Sequence, residues 1–175
     1  MKSRKSTMLL MAWFLTASLP AFAQVQRVVV EAEGISRACS PGLEAALKSL
    51  ESVYKYGISV EKQMFSVTYY SGEKFQPKDL HWAADKGETE ILKFHVSATG
   101  KVHDEGDQQI FVAGEDRFVV MNPTKLPTDV NIGIMGVVDD TSNPMQIKPD
   151  DFKVLTDESP SQESKPKAEE PSEKR

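Results

Sequence analysis

Apolar residues along the chain change period from about two to about 3.6 and back, and each change marks an element. Val28-Val29-Val30 with Glu31-Ala32 is β-branched and apolar, which predicts a strand. Leu43, Ala46, Leu47 and Leu50 recur at i, i+3, i+4 and i+7, one face of a helix. Tyr54, Tyr56, Ile58 and Val60 then alternate, Glu61-Lys62-Gln63 breaks the run, and Phe65, Val67 and Tyr69 alternate again, which predicts a hairpin. Ser71-Gly72-Glu73 ends that hairpin. Pro77 suits the first turn of a second helix with Leu80, Ala83 and Ala84 on its apolar face, and Gly87 is placed to close it. Leu92, Phe94, Val96 and Ala98 alternate as a last strand. The order is β-α-β-β-α-β. Its two crossovers put both helices on one sheet face, so residues 24–99 are expected to form an α+β, ferredoxin-like sandwich.

Helical patterning stops near Gly100. Strands are predicted at Gln109–Ala113, Arg117–Met121, Asp129–Val138, and from Met145 to Lys148 or beyond. Gly114-Glu115-Asp116, Asn122-Pro123 and Ser142-Asn143-Pro144 separate them. Residues 100–155 therefore read as a small all-β unit. At roughly 50 residues it is marginal alone, so it packs on the first unit or contributes to a barrel. The run Gly133-Ile134-Met135-Gly136-Val137-Val138-Asp139 resembles a strand and turn of small OB-type barrels.

The two ends differ from the middle. Lys2, Arg4 and Lys5 precede an apolar run from Met8 to Leu19 and the small-x-small site Ala21-Phe22-Ala23, the pattern of an export signal over residues 1–23. The run is shorter than the roughly 20 residues a membrane span needs. The mature chain is expected to begin at Gln24 and to act in a periplasmic or extracellular compartment, with no membrane span. Residues 156–175 carry Pro160, Pro166 and Pro171 among Ser, Glu and Lys, with Ala168 as the apolar exception, and read as a disordered tail. The formal charge is −5; without Lys2, Arg4 and Lys5, 18 basic residues stand against 26 acidic ones, or −8. Phosphate backbones are bound through clustered Lys and Arg, and no predicted element carries a basic stripe, so nucleic acid is excluded as a partner.

The chain holds one cysteine, so an internal disulfide is ruled out even in an oxidising compartment. Cys39 follows Gly34-Ile35-Ser36-Arg37-Ala38 and directly precedes the first helix, where the helix dipole and unpaired N–H groups favour a thiolate. Leu43, Glu44 and Leu47 follow it at the spacing found after the second cysteine of the Gly-Met-x-Cys-x-x-Cys loop in the heavy-metal-associated domain family. From about Val25 to Ala98 the chain resembles that family, which includes copper chaperones and the periplasmic mercuric-ion-binding protein. The resemblance implies a ferredoxin-like fold, a soft cation such as Cu(I) or Hg(II), and Cys39 as metal ligand. Ser36 stands where the first cysteine would be, Ile35 replaces the usual methionine, and the loop is one residue short. Soft cations are held between two polarizable thiolates, which a serine hydroxyl does not replace. A two-thiolate site then needs a partner protein or a thiol-mediated homodimer.

His81, His95 and His103 show no i, i+4 pair, and His95 is expected to point away from the core. His103-Asp104-Glu105-Gly106-Asp107 reads as a polar turn without the acidic spacing of a calcium loop. Met64, Met121, Met135 and Met145 are expected in the core. No nucleophile with a base, carboxylate pair or phosphate-cradling glycine loop is visible, so the chain reads as a non-enzyme. Two roles remain: an exported protein that binds or passes a soft metal ion through Cys39, or a metal-free protein-interaction module on the same scaffold.

Overall fold

In the computed structural model, residues 23–121 and 125–155 are described. The export-signal pattern, the Asn122-Pro123 turn and the tail lie outside them, apart from Ala23. The fold is mixed α+β, with two helices and an eight-stranded sheet. Its elements are β1 (Gln24–Glu33), α1 (Ser40–Ser49), β2 (Val53–Ser59), β3 (Met64–Tyr69), α2 (Pro77–Lys86), β4 (Glu90–Glu105), β5 (Gln108–Ala113), β6 (Asp116–Val120), β7 (Asn131–Asp139) and β8 (Met145–Val154).

Local sequence accounts for the helices. Pro41 and Pro77 occupy first turns, where a missing N–H costs nothing. The buried face of α1 is Leu43, Ala46 and Leu47, and that of α2 is Leu80, Ala83 and Ala84. These pack with Val28, Val30, Phe65, Val67, Tyr69, Phe94 and Val96, alternate residues of β1, β3 and β4. The start of α1 lies against the end of α2 backbone to backbone. A Cβ on Gly42 would stand 2.5 Å from the Lys86 carbonyl oxygen, and one on Gly87 would stand 2.6 Å from Leu43 Cβ. Gly87 is thus needed for close approach. Its φ of −96° is ordinary, and the left-handed residue that ends α2 is Glu88, φ +48°. The Thr89 N–H then reaches the Ala84 carbonyl at 3.0 Å and the Glu88 N–H reaches Asp85 at 3.1 Å, satisfying two of the last carbonyls.

The strand order is β2-β3-β1-β4-β5-β6-β8-β7, and β7 also pairs with β4. Strands β4, β5, β6, β8 and β7 therefore close into a barrel in which β6–β8 is the parallel pair. β4 belongs to both regions: Val30 faces Phe94 on its β1 side, and Val138 faces the same residue on its β7 side. The expected boundary at Gly100 falls inside this strand, because Gly100 is a point of close approach and not a break; a Cβ there would collide with the Val112 carbonyl. The sheet is accordingly larger than the sandwich expected for residues 24–99.

One buried cluster runs through both regions. Phe75, in the connection before α2, links them by packing edge-on against Tyr69 and Phe94, at centroid distances of 6.5 and 5.7 Å, and by approaching Phe118 at 6.5 Å. Its N–H donates to the buried Asp116 carboxylate at 2.9 Å. Burial raises the Asp116 carboxyl above its ordinary range, opposed by that N–H and by Lys74.

Several alternation-based expectations differ from the fold. Tyr54 is 65% exposed, since a register shift between Val53 and Lys55 interrupts β2. Leu92 is 53% exposed, because a register shift between Glu31 and Ala32 skips it and brings Ile91 against the core instead. β7 begins at Asn131 and not Asp129, whose φ is +59°. Met121 and Met135 are exposed, not core, while Met145 packs against the core. Among the described residues no helix is long and apolar enough to cross a membrane.

Candidate functional site

The loop that carries Cys39 is held from the β2–β3 turn. Gln63, with φ +50°, accepts the Ile35 N–H on Oε1 at 3.0 Å and donates from Nε2 to the Ile35 carbonyl at 2.8 Å. Ile35 itself is buried. The Ser36 carbonyl accepts the Ser40 N–H at 2.9 Å, and Ser36 Oγ accepts the Cys39 N–H at 3.2 Å. Ser36 is therefore engaged in shaping the turn into α1.

Cys39 occupies the N-cap position of α1 with φ −88° and ψ −24°, and its side chain makes no capping bond. The half-buried thiol instead lies 3.9 Å from Glu88 Oε2, within S–H···O range. This carboxylate comes from the left-handed residue that ends α2. Arg37 is exposed on the same loop. The site thus offers one soft donor, Cys39, beside one hard acceptor, Glu88. Among the described residues no group of three or more His, Cys, Asp or Glu side chains is arranged to hold a metal ion.

The three histidines do not converge on Cys39; each faces its own carboxylate. His81 Nε2 lies 2.9 Å from Asp140 Oδ2, joining α2 to the turn after β7, and its ring meets Phe94 edge-on at 5.4 Å. His95 sits on the sheet face away from the helices, with Nε2 3.2 Å from Glu31 Oε1 but not aligned for a hydrogen bond. Lys93 Nζ approaches the other oxygen of Glu31 at 3.5 Å. His103 Nδ1 meets Asp129 at 2.9 Å.

His81 and Asp140 line a half-open groove of about 450 Å³ at the seam of the two regions. Ile91, Leu92, Phe94, Met121 and Val137 make its apolar wall. At its edge the Thr141 hydroxyl and amide donate to Asp139 at 2.6 and 2.9 Å and hold that carboxyl below its ordinary range.

Sequence reasoning placed Cys39 before a helix but missed Glu88, Gln63 and the His81–Asp140 pair. Glu88 and Asp140 reach their partners from distant parts of the chain. The positive φ of Gln63 and Glu88 carries no residue-type signal, because neither is a residue favoured in that conformation. No family model matches the chain, and no curated protein matches it.

Proposed function

We propose that this chain is a protein-interaction module on a ferredoxin-like scaffold extended into an OB-like barrel, and that a single chain does not hold a soft metal ion. The order β2-β3-β1-β4 with antiparallel pairing throughout, and two helices on one face, support the ferredoxin-like reading. Five-strand closure supports the OB-like one. The functional reading is carried by Ser36: its Oγ is already the acceptor for the Cys39 N–H at 3.2 Å, so the loop has no second soft donor to set beside Sγ.

A second reading keeps Cys39 as a metal ligand, shared between two chains or with a partner protein. The observation in its favour is the partly accessible thiol at the start of α1, with Glu88 Oε2 at 3.9 Å as an auxiliary oxygen ligand. One titration separates the two. The reduced chain is titrated anaerobically with Cu(I) against a chelating competitor, alongside Cys39→Ser. The interaction reading expects no competition from either protein. One Cu(I) per two chains, lost in Cys39→Ser, overturns it in favour of the shared-thiolate carrier.

A further inference from the structure

On the sheet face away from the helices, an open groove of about 400 Å³ crosses β1, β3 and β2. Val28, Val30, Phe65 and Val67 face the helices, so Val29, Ser66 and Gly57, in register with one another between them, share the outer face. A register shift between Val25 and Arg27 lets Val25 and Val28 both turn inward and leaves Arg27 exposed on the outer side. Arg27 and Lys62 are the charged side chains that line the groove, and among the described residues no carboxylate lines it. In a chain of net charge −5 this is a local reversal. Neither cation makes an ion pair among the described residues, whereas Lys74, Lys93, Arg117 and Lys125 each do. Glu31, farther along the same face of β1, is already engaged by Lys93 and His95.

Gly57 floors the groove. Its φ lies outside the left-handed region, and a Cβ there would meet Ser66 Oγ at 3.6 Å, an ordinary contact. Neither backbone geometry nor packing therefore calls for glycine in the middle of β2, where it weakens a strand. Its missing side chain keeps the Ser66 hydroxyl open to the groove. Ser59 Oγ accepts the Lys62 N–H at 3.4 Å, which leaves its own O–H to donate. Two cations and two hydroxyl donors thus stand around half-buried Val29 and Met64. A compact dianion with several acceptor oxygens matches this set better than a lone carboxylate, since it neutralises both cations and can take the Arg27 fork on two oxygens. A bare phosphate leaves Val29 and Met64 uncovered.

We propose that this groove binds a small phosphate monoester, with Arg27 and Lys62 on the phosphoryl group and Val29 and Met64 under the organic part. The site stands whether or not the interaction reading holds.

Amide NMR of the reduced chain, titrated with phenyl phosphate, inorganic phosphate and benzoate at about pH 7.5, tests it; the phosphoryl group is dianionic there, its second pKa being about 6. Saturable shifts are expected at Gly57, Ser59 and Ser66, with phenyl phosphate several-fold tighter than the other two. Arg27→Gln and Lys62→Gln should each weaken binding by about two- to five-fold, the range for exposed charge pairs. Lys101→Gln, an exposed charge removed from the barrel stretch of β4, should leave it unchanged. Gly57→Val fills the floor and raises strand propensity, so binding should be lost while the thermal midpoint holds or rises. Shifts that do not saturate, or binding that survives Gly57→Val, overturn the proposal. So does an equal loss in Lys101→Gln, which would mean diffuse attraction to surface charge. Should Gly57→Val lose its fold, the Arg27 and Lys62 variants carry the test, and unchanged affinity in both overturns the site. Inorganic phosphate or benzoate binding as tightly as phenyl phosphate overturns the monoester assignment in favour of free phosphate or a carboxylate.

Discussion

The half of the molecule around α1 and α2 leaves one sheet edge free, whereas the half beyond Gly100 closes on itself. Both are built on β4, so the difference lies in how the other strands are arranged on its two sides. In the barrel β5, β6, β8 and β7 return to β4, and every edge is consumed. In the helical half, chain order puts β2 at the margin, with β3 as its one partner among the described strands. Closure leaves the barrel without a free edge, whereas β2 keeps one. The helical half also carries the loop at Cys39, whose thiol meets Glu88.

The comparison breaks most severely where the two halves share a core. Phe75→Ala removes the ring that touches Tyr69, Phe94 and Phe118, and a buried Phe→Ala change costs about 3–5 kcal/mol. Urea unfolding followed by fluorescence and by far-UV circular dichroism should shift to lower midpoint in one transition for both signals. Separate transitions would mean that the halves unfold independently. A smaller effect confined to the helical half is expected from Gly42→Ala, whose Cβ has to displace the Lys86 carbonyl. Overpacking of this kind costs about 1–3 kcal/mol, read as a lower thermal midpoint.

The mildest test is electrostatic, at the contact between halves. The folded-state pKa of Asp116 is raised, so the folded chain binds its proton more tightly than the unfolded chain does. Stability from this group is full below the ordinary carboxylate pKa and falls as pH rises through the raised one. Asp116→Asn, which keeps an acceptor for the Phe75 N–H, should flatten the stability profile across that mildly acidic window. It should leave neutral-pH stability equal or slightly higher. An unchanged slope just above the ordinary carboxylate range would show that the carboxyl is not the source.

Period and punctuation made the first six elements readable, and Phe65, Val67, Tyr69, Leu80 and Ala83 are buried on the faces their spacing indicates. Pairing at a distance stayed hidden. Alternation along Leu92 to Ala98 reveals a strand but not that its far side joins β7, nor that a bulge against β1 turns Leu92 out of the core. Gly100 looks like punctuation in the sequence, yet it is the residue that lets the Val112 carbonyl lie against the chain. At the site, the position of Cys39 was legible from the helix pattern. Its neighbour was not, because Glu88 arrives from the far end of α2 through a backbone conformation that glutamate seldom adopts.

The double membership of β4 also governs how the chain reaches its structure. Val30 lies opposite Phe65 of β3 and Phe94 of β4, and Phe94 opposite Val138 of β7, so the surroundings of β1 and β4 are completed by strands far apart in the chain. Both pairings of Phe94 are long-range. Folding of this chain is thus expected to be slower than that of a helical protein of equal length.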